Sequence, residues 1–152
     1  MPIKTPLARL SYAKLHTPEQ NANGKDKYSA MLIFEPGTDL SELENGAMEA
    51  AIDLYGSKEK LPNGVKKKSL AKGSGWPFRD GEDQDGKDGH QEGGLYINVS
   101  TYGSAPKVVR KENGIMVKVE EDEIKSGDYV KAMLTPKGFK VDGNSGVTFY
   151  LG

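Results

Sequence analysis

The sequence predicts a mainly β protein, a small barrel or sandwich that carries one amphipathic helix and a long irregular loop. Three observations support this. Short apolar and aromatic runs recur between turn signals along 152 residues. Only one segment has helical spacing. The 19 Gly and 8 Pro leave little room for a bundle or coiled coil, whose elements avoid both residues. The length suits one compact domain over residues 1–152.

Residues 7–16 (LARLSYAKLH) and 27–34 (KYSAMLIF) read as strands. Between them Thr17–Asp26 holds Pro18, Asn21, Asn23 and Gly24, which favour turning, so the pair reads as a long-looped hairpin. Pro36 and Gly37 end the second strand. Thr38 or Asp39 can cap a helix with Glu42 in its first turn. Leu40, Leu43, Ala47, Ala50, Ala51 and Leu54 then recur at three- and four-residue spacing and make one apolar stripe, which should pack against or cap the sheet. Gly46 weakens that helix and Gly56 stops it.

Residues 57–94, rich in Gly and Pro, read as the long loop, and a loop of that length in a small domain tends to carry function. Residues 95–102 (LYINVSTY) alternate, with Leu95, Ile97 and Val99 on one face and Tyr96, Asn98, Ser100 and Tyr102 on the other. Lys107–Arg110 and Ile115–Val119 read as short strands, and Tyr129–Leu134 alternates again. Gly143, Asn144 and Gly146 mark a turn before a last strand, Val147–Leu151.

Several function classes fall away. No run approaches the roughly 18–20 apolar residues that span a bilayer, and the first ten residues hold no apolar leader, so neither membrane nor secretion is expected. Zero Cys excludes disulfides and thiol chemistry, and with only His16 and His90 the common zinc sites are excluded too. There is no Walker A loop and no nucleophile elbow. The acidic stretch Asp80–Glu92 fails as an EF-hand, because Asp85-Gly86 at the fifth and sixth positions would place Gly81 where a carboxylate is required. No catalytic residue, metal or cofactor is assigned.

Binding chemistry is better supplied. A net charge of −1 conceals blocks of alternating sign, such as +5 over residues 61–79 and −5 over 80–92. Blocks of one sign gathered on a folded face create a local field that a polyanion feels more than the total. Single strands are held by rings that stack on bases and cations that track phosphates. Tyr96 and Tyr102 share one strand face. Trp76, Phe78 and Arg79 adjoin Lys66, Lys67, Lys68 and Lys72, and Lys137, Phe139 and Lys140 repeat the pattern. Each has a plainer alternative: tyrosines packed under the helix or loop, Trp76 as a core anchor, lysines that are merely solvated. Their joint occurrence favours nucleic acid.

These segments, in this order, resemble a known family. LARLSYAKLHTPEQ, KYSAMLIFEPGTDL, WPFRDG at 76–81, GGLYINVSTYGSAPKVV at 93–109, IKSGDYVKAML and GVTFYLG are similar to phage-encoded single-stranded-DNA-binding proteins. The resemblance implies an OB-fold, a five-stranded Greek-key barrel, and largely sequence-independent ssDNA binding in phage DNA replication and recombination, in the cytoplasm of the infected bacterial host. The general OB rule gives ligand contact to the first loop, here Thr17–Asp26 with Lys25, and to a later loop, here Lys137–Gly146 with Phe139 and Lys140.

The expected nucleic-acid-binding residues are therefore Lys25, Trp76, Arg79, Tyr96, Tyr102, Lys107, Lys131, Lys137, Phe139 and Lys140. Expected partners are ssDNA, duplex DNA and RNA as weaker ligands, and a second copy in a homo-oligomer. Proteins of this kind typically carry an acidic C-terminal tail that recruits replication proteins. This sequence stops at Phe149-Tyr150-Leu151-Gly152, so the tail is expected to be absent from this member or removed. Two rival classes stand beside this reading. One is a metal-dependent nuclease using Asp80, Asp83, Asp85 and Asp88. The other is a virion or assembly component whose exposed rings form a protein interface.

Overall fold

The longest strands, β2 (Ala8–Gln20) and β3 (Asp26–Phe34), form the expected hairpin, but β2 runs on through Pro18 and shortens the intervening turn to a few residues. The structure, a computed structural model, describes residues 2–20, 22–71, 73–81, 94–141 and 144–151. Ahead of the hairpin lies a short strand, β1 (Ile3–Lys4). Helix α1 (Ser41–Tyr55) follows. The Asp39 carboxylate accepts hydrogen bonds from the Ser41 amide (3.0 Å) and hydroxyl (2.7 Å), which hold its own pKa below the usual carboxylate value. Gly56 closes the helix in the left-handed region at φ 88°.

A 3₁₀ turn (Lys58–Lys60), the single-turn α2 (Asn63–Lys66) and β4 (Arg79–Asp80) lie within the segment expected to be irregular. Then come β5 (Leu95–Tyr102), the β6–β7 ribbon (Val109–Glu112, Ile115–Lys118), a 3₁₀ turn (Glu121–Glu123), β8 (Tyr129–Val130), β9 (Met133–Val141) and β10 (Asn144–Leu151).

Sheet order is β1-β9-β10-β5-β3-β2-β8, with β10 parallel to β5 and the other pairs antiparallel. β8, which pairs with one edge of β2, runs after two residues into β9, which pairs with β10. The two flanks of the sheet are thus joined by one chain segment, and β2, β3, β5, β10 and β9 curl into a Greek-key barrel of OB type. The helix leaves the chain after the second barrel strand, as the spacing predicts.

The core fills the barrel from the predicted faces. Leu10, Leu32, Phe34, Ile97, Val99, Leu134 and Phe149 point inward and meet Leu43, Ala47 and Ala51 of the helix stripe. Trp76 and Phe78 enter the same core. Their segment gets there through a close approach of glycines: a Cβ on Gly146 would stand 2.3 Å from the Gly75 carbonyl oxygen, which accepts from the Val147 amide at 2.9 Å.

One stretch departs from the sequence reading. Lys137–Gly146 is not a loop, since β9 runs to Val141 and β10 begins at Asn144. Pro136 and Gly138, which look like breakers, lie on the side of β9 that receives α1. A Cβ at Gly138 would be 2.8 Å from Leu54 Cβ. β1 pairs only with Met133 and Leu134, so Pro136 lies past that ladder, where its missing N–H costs little.

Candidate nucleic-acid interface

Strand alternation sorts the barrel wall into an inner face and an outer face, and the outer face is itself divided. Along β3 and β5 the facing outward pairs are Ile33–Tyr96, Met31–Asn98, Ser29–Ser100 and Lys27–Tyr102. At one end Met31, Ile33 and Tyr96 bury one another as a second small apolar cluster. At the other end the wall opens into a groove of about 520 Å³ that crosses five strands. β2 supplies Tyr12, β3 Lys27, Ser29 and Met31, and β5 Asn98, Ser100 and Tyr102. Thr148 and Tyr150 come from β10, and Phe139 from β9.

Four rings therefore face one groove. Tyr102 and Tyr150 meet edge to face with centroids 6.3 Å apart. Phe139 sits opposite Gly146, which has no side chain to cover the ring. Tyr12 is there because of a bulge. Ala8 and Leu10 point inward, and unbroken alternation would send Tyr12 after them. The β2–β3 register shifts between Ser11 and Lys14, Tyr12 takes a φ of 47°, and its side chain emerges 56% exposed.

Cations border the same end. Lys27 lines the groove, and Lys137 lies opposite Thr148 on the outward side of β9. The Lys25 stem passes over Gly103, next to Tyr102, where the Gly103 amide donates to the Asp26 carbonyl at 2.9 Å. Lys14, also outward on β2, is ion-paired with Glu19.

The structure thus gathers Lys25, Tyr102, Lys137 and Phe139 from the expected set and separates the others. Trp76 is 2% exposed, tilted against Phe78 at 5.7 Å, and offers no face to a base. Tyr96 stands on the outer face as its alternation requires, yet it too is 2% exposed. Arg79 turns its guanidinium onto its own neighbourhood, donating to the Trp76 and Phe78 carbonyls. Lys140 lies on the helix side of β9, its ammonium 4.5 Å from the Tyr55 ring centroid, on the opposite face from Lys137 and Phe139. Lys107 and Lys131 are exposed but do not line the groove.

Sequence reading passed over Tyr12, Lys27 and Tyr150. Tyr150 was accessible to it, because Val147 and Phe149 facing inward put Thr148 and Tyr150 outward. Tyr12 was not, because a bulge leaves no mark in the composition.

Among the described residues no group of three or more His, Asp or Glu is placed to hold a metal ion. Of the acidic residues in the nuclease reading, Asp80 lies on β4, while Asp83, Asp85 and Asp88 lie outside the described residues. Among the described residues no helix is long and apolar enough to cross a membrane.

Comparisons with known proteins bear on the family and the fold. A family model described as Enterobacter phage Enc34, ssDNA-binding protein, matches residues 1–152. The structure of the single-stranded DNA-binding protein from bacteriophage Enc34 in complex with ssDNA superposes with a TM-score of 0.70 at 19% identity, covering 99% of this chain and 82% of that one. A C-terminal truncation of the same phage protein gives 0.71 at 19% identity, with the same coverage. The single-stranded DNA-binding protein gp2.5 encoded by bacteriophage T7 gives 0.60 at 16% identity, covering 99% and 82%. A search of curated proteins finds no match.

Proposed function

Since the chain belongs to the family described as Enterobacter phage Enc34, ssDNA-binding protein, we propose that it binds single-stranded DNA non-enzymatically and with little sequence preference. In this reading it serves phage DNA replication and recombination in the cytoplasm of the infected host. The observation that carries the reading is the groove itself: four rings from four strands, open to solvent and bordered by lysines. A base has a π-face whatever its identity, so stacking on Tyr12, Tyr102, Phe139 and Tyr150 retains the strand without reading it. Lys25, Lys27 and Lys137 neutralise phosphates at the rim. Ser29, Asn98, Ser100 and Thr148 line the floor between the rings and can hydrogen-bond base edges or sugars. A duplex hides its base faces, so the rings gain nothing from it.

No covalent step is assigned. Retention is the function, and its strength comes from stacking plus counterion release.

A polarisation titration of labelled oligo-dT, alone and annealed to its complement, at several salt concentrations tests the proposal. The unpaired strand should bind more tightly. The logarithm of its affinity should fall linearly with that of salt, at about −0.7 per neutralised phosphate, or near −2 for the three rim lysines. Equal affinity for the duplex, or no binding in dilute buffer, overturns the reading. Trp76 emission is a poor reporter here, because the indole is sealed in the core.

A further inference from the structure

The β6–β7 ribbon is the one sheet among the described residues that stands apart from the barrel, and its charges are sorted between its two faces. The pairing is Val109–Lys118, Arg110–Val117, Lys111–Met116 and Glu112–Ile115. One face carries Val108, Arg110, Glu112, Ile115, Val117 and Val119. At its base Val119 is buried, and its carbonyl accepts from the His16 ring at 2.9 Å. Arg110 bonds Glu112 (2.8 Å) and Glu123, so the face's single cation is held between two carboxylates. The bond from Arg110 foremost, and one donated by the Glu120 amide at 3.0 Å, hold the Glu123 carboxyl below the ordinary carboxylate range. This face fastens the ribbon to β2 and to the Glu121–Glu123 turn.

The other face carries Lys107, Val109, Lys111, Met116 and Lys118, all exposed. Its carboxylate is Glu120, which caps the Glu121–Glu123 turn and lies 3.9 Å from Lys118. Three cations against one anion leave this face positive, with two apolar stems between them.

The ribbon's position gives the charge a direction. Its first strand begins seven residues after Tyr102, the last groove ring on β5, and its base is pinned to His16 on the β2 arm that ends beside Lys25. The ribbon is thus tied through the chain to Tyr102 and by a hydrogen bond to β2, the strand that carries Tyr12.

We propose that the Lys107–Lys111–Lys118 face is a second polynucleotide contact, taking the sugar–phosphate backbone of DNA that runs out of the groove. This rests on the groove reading. It adds that the site is longer than the groove and that its outer part is electrostatic rather than stacked. Val109 and Met116 would pack on sugars.

The test compares two oligo-dT lengths, ~6 and ~16 nucleotides, at the low and high ends of the roughly 4–16 nucleotides one OB-fold covers. Wild type is set against Lys111→Gln/Lys118→Gln and against Lys111→Arg/Lys118→Arg. With the long strand, the Gln variant should lose about 1.4 from its log–log salt slope, two phosphates at 0.7 each, while the Arg variant keeps the wild-type slope. With the short strand all three should coincide. An unchanged slope on the long strand overturns the proposal, and so does an equal loss at both lengths, which would place the lysines in the groove. If the Gln variant binds both lengths normally but changes oligomeric state, the face contacts a second copy and the proposal is wrong. Absence of wild-type binding to either length would instead remove the groove reading on which it rests.

Discussion

Two sets of aromatic rings lie on either side of one barrel wall, and they have opposite work. Trp76, Phe78 and Phe149 lie inside, with Phe78 and Phe149 edge to face at 5.7 Å and each ring at most 2% exposed. Tyr12, Tyr102, Phe139 and Tyr150 lie outside, around an open groove. Phe149 and Tyr150 are consecutive residues of β10, so a single step along a strand separates stabilising the barrel from the proposed contact with a base. Residue type does not decide between these roles. Strand phase and whatever covers the ring do, since an aromatic gains from burial or from stacking but cannot do both with the same face.

Substitutions can break that division. The largest effect is expected inside. Trp76→Ala should cost about 3–5 kcal/mol of stability by opening a cavity the surroundings only partly fill, seen as a lower urea midpoint. A variant that stays equally stable but binds oligo-dT weakly would place Trp76 on the wrong side of the wall.

Tyr150→Ala, one residue from the core ring Phe149, should leave the urea midpoint nearly unchanged and weaken ssDNA binding by about 1–3 kcal/mol, while Tyr150→Phe keeps most of the affinity because stacking needs only the ring. Loss of stability without loss of binding would show that the outer rings are structural too.

The smallest effect sharpens the comparison most. Tyr12 holds a left-handed backbone that glycine adopts freely, so Tyr12→Gly should relieve up to about 1 kcal/mol of strain and raise the thermal midpoint by a few degrees. The same change removes a ring from the groove and should lower affinity, as should Tyr12→Ala, which keeps the strain. A fall in stability with unchanged affinity would mean that the bulge serves packing alone.

Much of the barrel was legible in sequence because its signals are local. The alternation of Leu95–Tyr102 gave the correct faces, and the stripe from Leu40 to Ala51 gave the helix and its buried side. The site was less legible, because a groove is a relation between strands distant in sequence. The turn residues Gly143, Asn144 and Gly146, with the general OB rule, put Lys137 and Phe139 in a loop, whereas β9 runs on to Val141. Pro136 and Gly138 do not interrupt that strand because the helix lies on them, a tertiary reason that outweighs their turn preference. Alternation puts Tyr96 on the right face but does not show its cover of Met31 and Ile33, and Arg79, expected to pair with phosphates, donates instead to the Trp76 and Phe78 carbonyls.

The parallel contact between β10 and β5 also bears on how the barrel is made. β10 lies between β5 and β9, with Phe149 opposite Val99 and Tyr150 opposite Ser100, so the gap in the wall is filled by a segment synthesised some fifty residues after its neighbour. During translation the hairpin and helix can collapse early. Ring closure must wait for Asn144–Leu151 to emerge from the ribosome, and distant pairings of this sort fold slowly. A nascent polypeptide halted before that point would present an unsatisfied edge, and with it a risk of joining its neighbours on the polysome.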